Sequence, residues 1–221
     1  MPGSSLDSQY RSAIETAYYP VPKDQDEKII DAYLSLLELA GERRHSLRAV
    51  LDQACKVIFR LFGFREVSIG LKSREDYLFR YESLLGYRAD VAENFRRVKY
   101  TYEDMVSQDR FPHIKMGRLS ELNPVEGLPD YEQDLFNRKF QLKEKRETMD
   151  EFHEGDYVDV WIRGNNGDMV GWIEMSSPSD GKLPPRIAVR WIELLAATLG
   201  VIITEKWQEE DAIRATNKEK G

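Results

Sequence analysis

Asp159 and Glu174 are the side chains whose types and spacing point most directly to chemistry. Asn166-Gly167 is a two-residue hairpin turn signal. Folding the chain back on it sets Arg163 opposite Val170, Trp161 opposite Trp172 and Asp159 opposite Glu174. Successive strand residues point to opposite sides, so the reverse face pairs Ile162 with Gly171, Val160 with Ile173 and Val158 with Met175. One face of the hairpin is aliphatic; the other is aromatic and acidic. Facing carboxylates could do acid–base work or hold a cationic or multiply hydrogen-bonding ligand. Like charges directly opposite also repel, so something must cover the rings and offset the charge.

Nothing beside this pair reads as a nucleophile, and the chain shows no Gly-rich phosphate loop and no two-metal acid cluster. His45, His113 and His153 are the only histidines, and none is spaced as a ligand pair. Cys55 is the one cysteine; it falls within a helical stripe and reads as a buried thiol. The expectation is a binding module rather than an enzyme, with no metal site and the cofactor unknown.

The elements that must hold these residues follow from periodicity. Residues 1–25 are polar and read as a flexible arm with one weak helical turn. Ile29, Ile30, Tyr33, Leu34 and Leu37 mark a helix from Asp26 to Ala40, ended by Gly41. Ser46 caps a second helix whose stripe runs from Leu47 to Phe62, with Gly63 closing it. Phe64 to Leu71 alternates as a strand, with Val67, Ile69 and Leu71 on one face and Glu66, Ser68 and Gly70 on the other. Tyr77 to Leu85 reads as the next strand and brings Phe79 and Tyr81.

Residues 88–152 are the least legible. Helical pieces are expected at Thr101–Ser107 and Asp130–Met149, the latter capped by Asp130. Beyond the hairpin, Pro185 opens a long helix with Ile187, Trp191, Leu195, Leu199 and Ile202 as its buried stripe. The aliphatic sheet face should pack on the second and last helices. For the acidic face two arrangements stay open. Either residues 88–152 bring Lys or Arg down onto it, or they form a lid over a ligand cavity. Ser68 and Gly70, small residues at alternate positions, favour a cavity.

The chain has 221 residues with 41% hydrophobic and 32% charged, the composition of a soluble globular protein. A net charge of −7 with scattered Lys and Arg argues against a nucleic-acid partner. No apolar run is expected to span a membrane, the N-terminus lacks the build of a signal peptide, and a single cysteine fits the cytoplasm.

Three stretches in order carry a resemblance. They are Glu154-Gly155-Asp156-Tyr157 leading into the hairpin with Gly167-Asp168-Met169-Val170-Gly171, then Ser177-Pro178-Ser179-Asp180-Gly181-Lys182-Leu183-Pro184, then Trp191-Ile192-Glu193-Leu194-Leu195-Ala196. Together they resemble the GAF domain family of bacterial and archaeal signalling proteins. The match covers about Glu154 to Thr204, is weaker over Ser46 to Tyr87, and departs at Ser176-Ser177, where relatives often carry an acidic pair. On its own physics the Pro178–Gly181 turn is scaffold: Pro178 stops strand pairing, Asp180 bonds its own backbone and Gly181 takes positive φ.

The resemblance implies an α+β fold: a central antiparallel sheet, terminal helices on one face and a loop and helix lid on the other. It implies a small-molecule sensor in signal transduction that homodimerises through its first and last helices, or a ligand-free scaffold serving as a dimerisation or protein-interaction module. It divides the chain into an arm (1–25), a dimerisation helix (26–41), the GAF-like domain (46–207) and a charged tail (208–221). Ser68, Gly70, Phe79, Tyr81, Asp159, Trp161, Trp172 and Glu174 would line the ligand site. A covalent bilin is disfavoured because Cys55 sits on the second helix. The methionine sulfoxide reductase branch needs several cysteines. The cyclic-nucleotide signature is met only by Asn137-Arg138-Lys139-Phe140, at the wrong spacing. With no output domain in the chain, the expected readout is a signalling partner protein or the dimer state itself.

Overall fold

The computed structural model describes residues 5–18, 24–42, 44–127 and 146–219. The first helix, α1 (Ser5–Tyr18), replaces the single weak turn expected of the arm. Residues 8–16 of it are all exposed. Next come α2 (Gln25–Gly41) and α3 (Leu47–Leu61). Ser46 accepts a hydrogen bond from the Ala49 N–H, the N-cap expected of it. Two strands follow, β1 (Phe64–Lys72) and β2 (Phe79–Leu85).

The segment that resisted reading holds α4 (Ala89–Arg97), α5 (Tyr102–Val106), β3 (Ile114–Lys115) and β4 (Ser120–Asn123). A capping box between Thr101 and Asp104 starts α5. The helix expected at Asp130–Met149 lies outside the described residues up to 145, and 146–149 are not helical. The hairpin is β5 (Tyr157–Arg163) and β6 (Met169–Pro178), and α6 (Arg186–Glu219) closes the chain. The last helix runs into the 210s as expected, and positions 208–219 continue it.

The six strands form one antiparallel sheet in the order β2-β1-β6-β5-β4-β3. The expected hairpin register holds from Tyr157 to Ile162, with Trp161 opposite Trp172 and Asp159 opposite Glu174. It slips at the end, where Arg163 pairs with Met169 and not with Val170. The Gly164 N–H bonds the Asp168 carbonyl, so the loop is longer than two residues and a bulge absorbs the difference.

The aliphatic face packs on helices. Val158, Val160, Ile162 and Ile173 are fully buried in one cluster with Leu51, Ala54 and Ile58 of α3 and Ile192, Leu195, Leu199 and Ile203 of α6. Leu195, Leu199 and Ile202 of the expected α6 stripe are buried, but at its start Ile187 is 63% exposed and Val189 is buried. By length and composition α6 could cross a bilayer, with a mean hydropathy of 1.8 over its most apolar stretch, contrary to the sequence expectation. Half of that stretch is buried in the protein, so much of its apolarity belongs to the core.

The Pro178–Gly181 turn ties the scaffold together. The Ser179 N–H bonds the Gly63 carbonyl at the α3–β1 junction, and the Gly181 carbonyl accepts from the Phe152 N–H. Asp180 accepts from the Lys182 N–H and Gly181 sits at φ +68°, a conformation that favours glycine. At the acidic-pair departure, Ser176 and Ser177 both donate to Glu66, so β1 supplies the carboxylate there. Glu193, in the helix motif, accepts from the Leu119 N–H and the Ser120 hydroxyl and pairs with Arg190. Burial pushes its carboxyl upward, but these donors outweigh that and hold it below the usual range. It thereby pins the β3–β4 hairpin to α6.

Candidate functional site

The other face of the sheet is covered by α4, α5 and the segment between them. Phe79, Tyr81, Phe95, Tyr100, Met105, Phe111 and Trp172 form a second, aromatic cluster there, separate from the aliphatic core. The rings meet edge to face. Tyr81 and Trp172 have centroids 4.9 Å apart at 69°, and Tyr100 and Trp172 are 6.3 Å apart at 83°. Such pairs contribute about 0.5–1.5 kcal/mol each beyond burial.

A row of polar residues runs under this cluster, across the strands. Ser68 pairs with Glu174, Glu174 with Asp159, Asp159 with Glu121, and Glu121 with Lys115. Directly paired residues lie about 5 Å apart at Cβ, so three carboxyl groups stand side by side. Tyr81 donates to Glu174 at 2.7 Å and Tyr87 at 3.4 Å. Asn123 donates to Asp159 at 3.1 Å. His113 Nε2 lies 3.3 Å from Glu121. Burial pushes the Glu174 carboxyl up to about 7, against the opposing help of Tyr81, Trp172 and Tyr87, and Glu66 nearby raises it further. Burial also raises Glu121, offset in part by His113, Trp161 and Lys115. Tyr87 is raised well above its ordinary value by burial and by Glu174. A buried carboxyl poised near neutrality in a cleft is a signature of functional sites.

Between the rings and the row lies a partly open cavity of about 30 Å³, room for a water or two. Of the residues expected from sequence, Tyr81, Asp159, Trp161, Trp172 and Glu174 line it. Ser68, Gly70 and Phe79 share the face but lie outside the lining. Gly70 makes room for a ring, not a ligand: a Cβ there would stand 2.0 Å from Trp172 Cη2. Ser68 is fully buried at the end of the row, and Phe79 packs edge-on to Trp172 at 6.2 Å.

Sequence reasoning missed Glu121 and Asn123, because a strand of four residues carries too little alternation to read. It missed Tyr157 too, although the spacing Tyr157, Asp159, Trp161 places it on the same face. Phe95, Tyr100, Met105 and Phe111 come from the lid. Glu174 is met by tyrosine hydroxyls. Among the described residues, Arg110 pairs with Asp104, and Arg146 pairs with Asp156 bidentately at 2.7 and 2.9 Å. Asp156 is fully buried and also takes the Val125 and His153 N–H groups. Arg146 thus clasps the segments on either side of residues 128–145. The described residues hold no cluster fit for a metal ion.

The architecture resembles solved structures over most of the chain. The GAF domain of a putative sensor histidine kinase from Pseudomonas syringae pv. tomato is similar at TM-score 0.53 and 9% identity, over 96% of this chain and 99% of that one. A GAF domain/HD domain protein from Geobacter sulfurreducens gives 0.52 and 12%, over 78% and 98%. The fold is that of GAF domains. The GAF domain of an Acinetobacter phosphoenolpyruvate-protein phosphotransferase is similar at 0.50 and 12%, over 86% of this chain and 99% of that one. No family model matches the sequence, and no curated protein matches it. In this GAF fold the helix face carries the terminal helices and the lid face carries the cavity.

Proposed function

We propose that this chain is a cytoplasmic sensor domain in signal transduction. The lid-face pocket takes a small molecule, and two copies pair through α2 and α6. It binds and does no covalent chemistry. The observation that carries the reading is Glu174, a carboxyl 7% exposed at a partly open aromatic cavity. Burial there costs stability, which a ligand site explains. The likeness in fold to the GAF domain of a putative sensor histidine kinase supports the signalling role. Pairing is supported by Ile30, Leu34 and Leu37 on α2 and Ile187, Leu194 and Val201 on α6, large apolar side chains left exposed on the helices of one layer.

Native mass spectrometry of the purified chain, followed by a thermal-shift screen of small metabolites, tests it. The expected result is a dimer that carries, or takes up, one small molecule per chain. A monomer at micromolar concentration would remove the pairing. A clean dimer whose melting temperature no metabolite raises would remove the sensing. That second outcome would leave a ligand-free scaffold for dimerisation or partner docking, the reading favoured by the small void and by the filling of the Gly70 gap.

A further inference from the structure

We propose that the lid-face pocket is selective for an organic ammonium cation, received by an aromatic box over a carboxylate row. This rests on the reading of the pocket as a ligand site and names the class of ligand. Two features combine. The first is the wall. Trp172 meets Tyr81 and Tyr100 at 69° and 83°, and Tyr100 meets Phe111 at 80°. The rings therefore stand as walls around the void rather than as a stack. Indole and phenol faces attract desolvated cations, Trp most strongly. The second is the floor, where Glu174, Asp159 and Glu121 all line the same cavity. An anionic ligand would have to sit against three carboxyl groups. A hard divalent cation such as Ca²⁺ or Mg²⁺ wants six or more oxygen ligands, which walls of aromatic carbon do not supply. An alkylammonium uses both surfaces: its C–H shell lies on the rings and its charge faces the acids.

The site's own geometry sets the terms of entry. Anything larger than a water or two must push aside the lid side chains Phe95, Met105 and Phe111 of α4, α5 and the loop after it. The groups facing Glu174 are Tyr81, Tyr87 and Trp172, with Asp159 paired beside it and Glu66 further along β1. The rim carboxylate Glu121 has His113 and Lys115 near it, Asp159 accepts from the Asn123 amide, and Glu174 accepts from Tyr81 and Tyr87. Because the Glu174 carboxyl ionises near 7, a cation should bind more tightly as pH rises from 6 to 8.

The test titrates the full chain with tetramethylammonium, choline and putrescine, and with two controls: dimethylbutanol, the neutral isostere of choline, and acetate. Tryptophan fluorescence and melting temperature are read together. At least one cation should bind at millimolar concentration or below, with the neutral isostere about tenfold weaker or more and acetate silent. Asp159→Asn and Glu121→Gln should each weaken that cation several-fold while the melting temperature without ligand holds. Should Asp159→Asn fail to fold, Glu121→Gln at the rim carries the test. Equal binding of choline and its isostere, or binding of acetate in place of the cations, would overturn the cation proposal and leave the pocket as a ligand site. Silence from every probe, cations included, would overturn the cation proposal. Whether the site reading falls with it is then decided by the broader metabolite screen.

Discussion

On one face of the sheet, Val158, Val160, Ile162 and Ile173 are wholly buried among aliphatic side chains from α3 and α6. On the other, reached by stepping one residue along the same strands, Asp159, Trp161, Trp172 and Glu174 lie beneath a lid of short helices. Both faces exclude water, yet they do so differently. The helix face is covered by regular elements of 15 and 34 residues, whose stripes match the strand spacing. The lid face is covered by helices of 9 and 5 residues and the loops between them. Hydrocarbon packed against hydrocarbon gains stability in proportion to area. A carboxyl packed among rings loses it unless hydrogen bonds compensate. The comparison assigns stability to one face; the other keeps, at a cost in stability, the carboxyl groups of the proposed ligand site.

The largest expected effect breaks the helix face. Ile173 is fully buried in a central strand, and Ile173→Ala should cost about 2–5 kcal/mol, measured by urea unfolding. Ligand uptake and its pH dependence should survive wherever the variant remains folded. A loss of under about 1 kcal/mol would mean that this face does not carry the core.

The next effect has the opposite sign. The Glu174 carboxyl sits at about 7 when folded against an ordinary 4.5. Between those values the folded chain holds a proton that the unfolded chain has lost. Stability therefore falls as pH rises from about 4.5 to about 7 and is flat above that, as far as Glu174 governs it. The full span corresponds to about 3 kcal/mol. Glu174→Gln should remove this slope and leave the variant more stable than the wild type at pH 8. Unfolding curves across that range decide it: a wild type more stable at pH 8 than at pH 5, or a Gln variant with an unchanged slope, would refute the cost assigned to this face. Glu121 shifts in the same direction and adds to the wild-type slope, so the variant's curve need not be wholly flat.

The same contrast governs what was legible in the sequence. The helix face could be read because α3, β1, β5 and β6 are long enough to show a period. The register Trp161–Trp172 and Asp159–Glu174 followed from turn chemistry plus alternation, even though the loop itself is longer than the Asn166-Gly167 signal implies. Of the lid, the helical piece expected at Thr101–Ser107 forms as α5, but the rest could not be read. Val91, Ala92 and Phe95 of α4 are too few to establish a helical stripe. Neither β4, which brings Glu121 and Asn123, nor the two-residue β3 has an alternation of its own. What places β4 is long-range: its pairing to β5, and Glu193 of α6 holding Leu119 and Ser120. Ile187 was misassigned because the start of α6 overhangs the sheet; only from Val189 onward does the helix lie on the core.

The smallest effect concerns Gly70, where the two readings of the lid face part. Alternate small residues on β1 suggested space above the sheet, and the structure fills that space with Trp172, 1% exposed. A methyl group at this position has nowhere to go. The nearest ring atoms lie at 2.0, 2.1 and 2.6 Å from an ideal Cβ, all inside contact distance. The ring cannot simply swing away, since Tyr81, Phe79 and Tyr100 hold it on other sides. Gly70→Ala should therefore cost about 1–3 kcal/mol, the range for overpacking, and change the near-UV circular dichroism of the aromatic cluster. Because Gly70 meets the box through Trp172 and through its strand partner Tyr81, the substitution should also disturb ligand binding without touching a carboxylate. Unchanged stability together with an unchanged aromatic spectrum would show that the ring yields freely. The lid face would then have the open space that the sequence suggested.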